Sequence, residues 1–436
     1  MKTLVVFEDA GTAAFGILAA LRGTFDLRCG ARTLLERLRA DAAATHCVLI
    51  VRPGLQALIA ESHPDAALDL RGDAPMVDFL NGRLLSLGND VAHLLAGPAT
   101  GFVRFQDDAL VAAELTAADA ARLAIELRAR LASPNSNPLA AWCERNLPHV
   151  ARLAGAVSEL RSGSRLLDHG WDLVACNGLA LVDDFRKGAG AGIAPEALLY
   201  PGVHLLQDGA IRIEAGARIK PGVVLDAEDG PITIGADVVV QPNVVVRGPA
   251  AIGPGSVLKA GAKVHEGTSL GPVCKIGGEV EECIVQAFSN KQHDGFLGHA
   301  YLGEWVNLGA DTNNSDLKNN YSTVRVWENG RNVDTGLRFV GLLAGDHVKS
   351  AINTQFNTGT VVGLASQVFG SGFPPKFIPP FSWGGGPSLQ LYEARRALET
   401  ARTVMERRGI RMSAAYEACF RAEFDVWSNA VRTAPE

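Results

Sequence analysis

From about residue 193 onward, aliphatic residues recur at every sixth position. The first set is Ile213, Ile219 and Leu225. After a short loop the spacing resumes at Ile234 and runs through Val240, Val246, Ile252, Leu258, Val264, Leu270 and Ile276, eight positions in phase. Glycine or another turn former follows at recurring offsets, as in IGADVV, IGPGSV, LKAGAK and VHEGTS. An ordinary strand accounts for any one hexad but not for eight in register. A hexad made of one short strand and one turn does account for them, and three such hexads complete a triangular coil of a parallel β-helix. Each aliphatic then points inward and stacks on its equivalent one coil away, while glycine meets the positive φ of a corner.

The period loosens between Glu279 and Asn332, returns in part around Ile352 and Leu364, and ends in GSGFPPKFIPPFSWGGG. Beyond it, LYEARRALETARTVMERRGI (391–410) and AAYEACFRAEFDVW (414–427) read as amphipathic helices, expected to cap the open end of the solenoid. Upstream the texture differs. Short apolar strands are predicted at Thr3–Phe7, Cys47–Val51 and Arg83–Leu87, and a helix over 114–132 with Thr116 as its N-cap. Strands alternating with helices predict an α/β domain with a largely parallel sheet. The expected organisation is an α/β domain over 1–165, a linker and domain end over 166–192, a β-helix over 193–384 and a helical cap over 385–436.

Composition agrees with thin repeated layers: 47 glycines in 436 residues, with aromatics at only 6%. No strict Gly-X-Y period is present, which excludes collagen, and 47% hydrophobic content excludes a disordered chain. The formal charge is 41 − 47 = −6 without a basic run, which argues against a nucleic-acid binder. Cys29, Cys47, Cys143, Cys176, Cys274, Cys283 and Cys419 are scattered and form no C-x-x-C pair, as in a reduced chain. The opening MKTLVVFEDAG lacks a secretory apolar core, and no apolar run reaches the ~18–20 residues of a membrane span. A soluble, cytoplasmic chain with no membrane and no nucleic-acid partner is expected.

The densest polar segment is SNKQHDGFLGHAYLGEWVNLGADTNNSDLKNNY (289–321), inside an otherwise aliphatic solenoid. A solvated loop would share this composition. Asp311, Asn313 and Ser315 alternate like a calcium loop, but an EF-hand needs Gly sixth and Glu twelfth, where Asp316 and Ser322 stand. His293 and His299 form no H-E-x-x-H, and no G-x-S-x-G supplies a serine nucleophile. General-base chemistry by a histidine, oriented by backbone N–H groups and amides, is what remains.

Residues 291–312 resemble the active-site coils of the bacterial glucosamine-1-phosphate acetyltransferases. The match runs through Lys291, His293, Phe296-Leu297-Gly298, Leu302-Gly303 and Val306-Asn307-Leu308-Gly309-Ala310-Asp311-Thr312, with Lys291 one residue nearer the histidine than in that family. The resemblance implies His293 as general base and Asn307 as orienter of the sugar phosphate or acetyl group. It implies Ala310, with Ser350 and Ala365, as contacts of the cosubstrate acetyl-CoA. Lys291 and Lys318 would meet the sugar phosphate, and Phe296, Asn320 and Tyr321 would line the acceptor site. Phe296 replaces the family tyrosine and so lacks its hydroxyl, and His299 falls at a variable position and is expected to be a bystander.

A wider resemblance, to a divergent GlmU-like group of sugar nucleotidyltransferases, rests on GPVCKIGGEVEECI, TGLRFVGLLAGDH and FGSGFPPKFIPPFSWGG. It implies a left-handed β-helix, a homotrimer, and an N-terminal domain of nucleotidyltransferase type acting on a sugar phosphate and a nucleoside triphosphate. Arg22 and Arg28, flanking a segment in which Gly23 replaces the group's proline, would supply positive charge; EDAGTAAFG (8–16) stands where a glycine-rich phosphate loop is expected. Asn81 and Arg83 would line the pocket, and Asn177 in WDLVACNGLALVDDF would ligate Mg2+. Acetyl transfer joined to uridylyl transfer is the function expected. The alternatives are a nucleotidyltransferase with the β-helix as trimer scaffold, and a non-catalytic sugar-nucleotide-binding protein.

Overall fold

A computed structural model describes residues 2–70, 74–98, 100–133, 137–153, 162–386 and 389–433. The chain forms two compact units. One comprises residues up to Phe15 with Leu21–Leu27 and Arg32–Asp168; the other comprises Gly16–Ala20, Arg28–Ala31 and the chain from His169 onward.

In the first unit, Thr3–Phe7 is wholly buried and lies between His46–Ile50 and Met76–Asn81, parallel to both. A strand covered on both faces reads as a continuous apolar run, which is why TLVVF was legible. Met76–Asn81 pairs antiparallel with Ala109–Thr116, which turns back on Phe102–Gln106, and that strand pairs parallel with Ala151–Leu153. The sheet is therefore mixed rather than largely parallel. The cause is the tight hairpin at Asp107-Asp108, with Asp107 at φ 52°, which lets adjacent strands pair without a crossover helix. The expected strand Arg83–Leu87 shrinks to Leu84–Leu85, antiparallel to Arg165–Leu166. The helix Ala117–Ala132 starts after its expected cap, the Thr116 hydroxyl accepting from the Asp119 N–H at 3.4 Å. It buries Ala120, Leu123 and Leu127 against Val5, Phe79 and Leu115.

The second unit is a left-handed parallel β-helix. Its first sheet has ten strands from Gly192–Ile193 to Phe377–Ile378. Its second runs from Leu198–Leu199 to Asn290–Lys291 and continues with Lys349–Ser350, Gln367–Val368, Ser382–Trp383 and Gln390–Leu391; its third runs from His204–Leu206 to Phe296–Gly298, with Asn313–Asn314 and Gln355–Phe356 beyond. Every aliphatic of the six-residue series is at most 2% exposed. Ile234 pairs with Ile252 and Ile252 with Leu270, so three hexads complete each coil.

Where the period loosens, the coils continue. Leu270, Val285, Leu302, Ala344, Val362 and Ile378 form one unbroken ladder. The pattern fades because polar residues take inward positions: Lys291 pairs beside Ile276, Ser350 beside Val368, and Asn314 beside Phe356. An inserted antiparallel hairpin, Arg325–Glu328 with Arg331–Asp334, stretches one coil further. Ile352, expected to be part of the returning period, is instead 69% exposed at a corner, whereas Leu364 is buried.

Two expectations about helices change. Residues 170–187 are an 18-residue helix rather than a linker, and it lies against the first sheet, the Asn177 amide donating to the Gly267 carbonyl at 2.6 Å. The C-terminal helices Ala394–Glu406 and Ala414–Thr433 run along one side of the β-helix rather than over its end. They cover a corner where Phe288 stacks on Trp305 at 4.3 Å and Trp305 faces His347. Tyr416 hydroxyl meets His347 Nε2 at 2.9 Å, and Phe420 sets its edge on His347 and Phe381. An aromatic corner needs burial; at the far end, Gln390–Leu391 folds back antiparallel on Ser382–Trp383. Among the described residues, no helix is long and apolar enough to cross a membrane.

Candidate functional site

The corner between the second and third sheets carries the polar segment. His293 and Asp294 turn it in one coil, Ala310 and Asp311 in the next, and Ile352 and Asn353 in the one after. The Asp311 N–H donates to the Asp294 carbonyl at 3.0 Å and the Asn353 N–H to the Ala310 carbonyl at 2.8 Å. His293, Asp294, Asp311 and Asn353 are exposed. Asn307 sits on the adjoining second sheet, bridging Asn290 on one side and Lys349 on the other. The fold thus brings His293, Asn307 and Ala310 onto neighbouring coils, although no hydrogen bond joins His293 to Asn307 among the described residues.

Lys291 lies beneath this corner. Its side chain points inward, 1% exposed, and its ammonium donates to the His293 carbonyl at 3.0 Å and the Gly277 carbonyl at 3.2 Å. Burial pushes its pKa down to about 8, against the opposing pull of Asp294, Asp311 and Glu279. Lys291 is therefore an internal brace, not a group that a phosphate arriving from solvent meets. Gly278 leaves room for it: at φ 70°, a Cβ there would fall 2.8 Å from Lys291 Nζ and from the Gly295 carbonyl oxygen.

The three residues expected at acetyl-CoA separate. Ala310 is on the His293 corner. Ser350 faces inward, accepting from the Gly309 N–H at 3.1 Å and bonding Thr312 Oγ1 at 2.8 Å, so it braces the strand that leads into Ala310. Ala365 is on the other corner, above His347, and 2% exposed. Phe296 is partly buried, its N–H held by Asn313 Oδ1 at 2.7 Å. Lys318, Asn320 and Tyr321 share one loop. Lys318 donates to the Thr323 carbonyl, Asn320 Oδ1 accepts from the Ser322 N–H at 3.1 Å, and Tyr321 is 66% exposed. Lys318 and Asn320 thus close the loop on itself.

One cluster was not foreseen. His299 Nδ1 meets Asp316 at 2.8 Å, and its ring stacks on Phe339 at 5.0 Å. Burial raises the neighbouring Glu282 carboxyl above its ordinary value. His299 and Asp316 are 17 residues apart, about one coil; that spacing was the available signal.

In the first unit, the expected phosphate-loop segment is pinned by two carboxylates, Glu8 fully buried and Asp9 half-buried. Glu8 accepts from Arg52 Nη1 at 2.6 Å, the Arg52 N–H at 3.0 Å and the Thr24 N–H at 3.0 Å. Asp9 accepts from Arg83 at 2.8 and 2.9 Å, from Asn81 at 2.8 Å and from the Gly11 N–H at 3.0 Å. Asn81 and Arg83, expected to line the nucleotide pocket, thus both bond Asp9. Arg22 is 6% exposed. In the second unit, Arg28 directs its guanidinium at the Gln286 and Ala31 carbonyls while its N–H donates to Tyr301 and Gln286.

Asn177 does not fit a metal. It is fully buried, its Oδ1 accepts from the Gly30 N–H at 2.7 Å and the Ser269 hydroxyl at 2.9 Å, and its Nδ2 is spent on Gly267. The Mg2+ ligand expected there is instead a structural amide. Among the described residues, no group of three or more His, Cys, Asp or Glu side chains is gathered for a metal ion.

Residues 4–189 match the family model of sugar nucleotidyl transferases, and residues 231–266 that of the bacterial transferase hexapeptide repeats. A bifunctional protein GlmU from Synechococcus sp. is 33% identical over 187 residues, 41% of this chain and 37% of its own length. A bifunctional sugar-1-phosphate nucleotidylyltransferase/acetyltransferase from Sulfurisphaera tokodaii is 28% identical over 36% of this chain and 37% of its own. The chain thus spans less than two fifths of the length of these relatives. A solved UDP-N-acetylglucosamine acyltransferase aligns with 48% of this chain and 77% of that one, at 13% identity and a TM-score of 0.24. Over residues 4–189 the chain is thus similar to sugar nucleotidyl transferases, and over residues 231–266 to the bacterial hexapeptide-repeat transferases.

Proposed function

We propose that the β-helix transfers an acetyl group from acetyl-CoA to the amine of an amino-sugar phosphate, with His293 as general base. The observation that carries this reading is the exposed His293 imidazole, set on a corner whose backbone is held from within by Lys291, one coil from Ala310 and Asn307. An ammonium cannot attack a thioester. His293 accepts the proton as the amine nitrogen bonds to the carbonyl carbon, the C–S bond breaks, and the proton passes to the departing thiolate. The Ala310 backbone would steady the oxyanion and Asn307 the acceptor. A homotrimer is the proposed assembly, on the hexapeptide-repeat likeness.

Asn177 has no part in Mg2+ binding in this reading, because its amide is fully committed. For the first unit the proposed activity is nucleotidyl transfer, on its likeness to sugar nucleotidyl transferases, with the Asp9–Arg83 and Glu8–Arg52 pairs bracing the segment that would meet the nucleoside triphosphate. Incubation with acetyl-CoA, UTP, Mg2+ and a panel of amino-sugar phosphates, read by mass, tests both parts. An N-acetyl sugar phosphate is expected, lost by roughly 100-fold or more in His293→Ala, with UTP-dependent pyrophosphate release intact in that variant. A panel without any N-acyl product overturns acetyl transfer, absence of pyrophosphate release overturns nucleotidyl transfer, and absence of both favours a non-catalytic sugar-nucleotide-binding protein.

A further inference from the structure

We infer that the outer face of the second sheet carries a binding site for a diphosphate group, built by Lys275, Asn290, Asn307 and Lys349 and completed by Arg408 from the turn between the two C-terminal helices. The four β-helix residues are successive rungs of one ladder. They alternate with the inward Ile276, Lys291, Leu308 and Ser350, so their side chains share the outer face. At about 4.8 Å per rung the row spans about 14 Å, within reach of two long lysines and matched to an elongated anion rather than a single carboxylate.

Arg408 fixes the row at one end. Its guanidinium donates to Asn290 Oδ1 at 2.7 Å and to the Val273 carbonyl at 3.2 Å. With Oδ1 taken, the Asn290 amide turns its Nδ2 toward Asn307 Oδ1 at 3.5 Å, which leaves Asn307 Nδ2 as a donor. Lys259 and Arg407 flank the same end. Among the described residues, none of Lys259, Lys275, Lys349, Arg407 and Arg408 forms an ion pair with a carboxylate. All but Arg407 are half-buried.

Such a set of cations is unfavourable when empty. Burial, and the charges of Arg408, Lys259 and Arg407, push the Lys275 ammonium below its ordinary value. Burial pushes Lys349 down to about 8, its Nζ meeting the Trp305 and His347 carbonyls at 3.5 and 3.4 Å. An anion on the ladder removes the repulsion and supplies charge-assisted hydrogen bonds to lysine and arginine. Acyl-CoA and nucleotide sugars both carry a diphosphate, so the shared chemistry is what the site recognises.

Calorimetric titration of the full chain with inorganic pyrophosphate, with no acetyl acceptor present, reads binding separately from acetyl transfer. Saturable binding is expected, weakened roughly tenfold in Arg408→Gln and further in Arg408→Gln/Lys275→Gln. It stays unchanged in Arg247→Gln, whose guanidinium pairs with Asp229 and Glu266 elsewhere. Displacement by CoA or by UDP-N-acetylglucosamine identifies the source of the diphosphate. Absence of saturable binding, equal affinity in the double variant, or displacement by neither compound overturns the site.

Discussion

The ammonium of Lys291 donates to the carbonyl of His293 at 3.0 Å from inside the β-helix. It stands on the ladder between Ile276 and Leu308, where the repeat calls for an aliphatic. The exposed side chain that presents chemistry to solvent and the buried charge that holds its backbone are two residues apart in sequence and on opposite sides of the wall. A charge in that position costs desolvation, and two carbonyl dipoles offset part of it.

This buried lysine makes stability depend on alkaline pH. Lys291 is held at about 8 in the folded chain, while an unfolded lysine titrates near ~10.4. Below pH 8 both states are protonated and the burial penalty is full. Between about 8 and 10 the unfolded chain binds more protons, so stability rises with pH. Urea midpoints at pH 7.5, 8.5 and 9.5 should climb in the wild type and climb less in Lys291→Met. Lys349, also held at about 8, retains the remainder. Equal slopes in the two proteins would mean that Lys291 titrates normally.

Arg83 is 3% exposed and bonds both oxygens of Asp9. Arg83→Met leaves the half-buried Asp9 carboxylate with the Asn81 and Gly11 donors but without its cation, and a loss of about 1–3 kcal/mol is expected in chemical denaturation. Adding Asp9→Asn to the same chain should return part of it, because the stranded charge is then gone. A double variant no more stable than the single would show that packing, not charge, dominates.

Asn177→Ala removes three hydrogen bonds from a fully buried site and leaves the Gly30 N–H and the Gly267 carbonyl without partners. A loss of about 2–4 kcal/mol is expected. Thermal unfolding with and without Mg2+ checks the assignment: the ion should shift wild type and variant equally. A stabilisation by Mg2+ that disappears in the variant would return Asn177 to metal binding.

Ile352 and Phe356 test the phase of the late coils. Ile352 is 69% exposed and Phe356 1%. Ile352→Ser should change stability by less than about 0.5 kcal/mol, whereas Phe356→Ala should cost about 3–5 kcal/mol. The reverse order would place Ile352 in the core.

How far the chain could be read without its structure depends on how local each determinant is. The coils from Ile213 to Ile276 were legible because one aliphatic per strand must face a narrow interior, and repetition makes that demand visible. Thr3–Phe7 and the Thr116 cap were legible for similar local reasons. His293, Asn307 and Ala310 were picked out by motif, and the coil spacing brings them to neighbouring turns.

What the tertiary structure alone decided is which way the polar residues face. Lys291, Ser350 and Asn314 look like surface chemistry in sequence, yet the ladders turn them inward, where they silence the period and brace the corner. Asn177, expected as a metal ligand, and Arg83, expected to line the pocket, make structural bonds because Ser269 and Asp9, 92 and 74 residues away, take up their polar atoms. The ladder from Lys275 to Lys349, closed by Arg408, joins residues up to 133 positions apart (408 − 275). Hydrophobic periodicity is a local property of the chain, but the partner that satisfies a buried charge or amide is chosen only when distant segments meet.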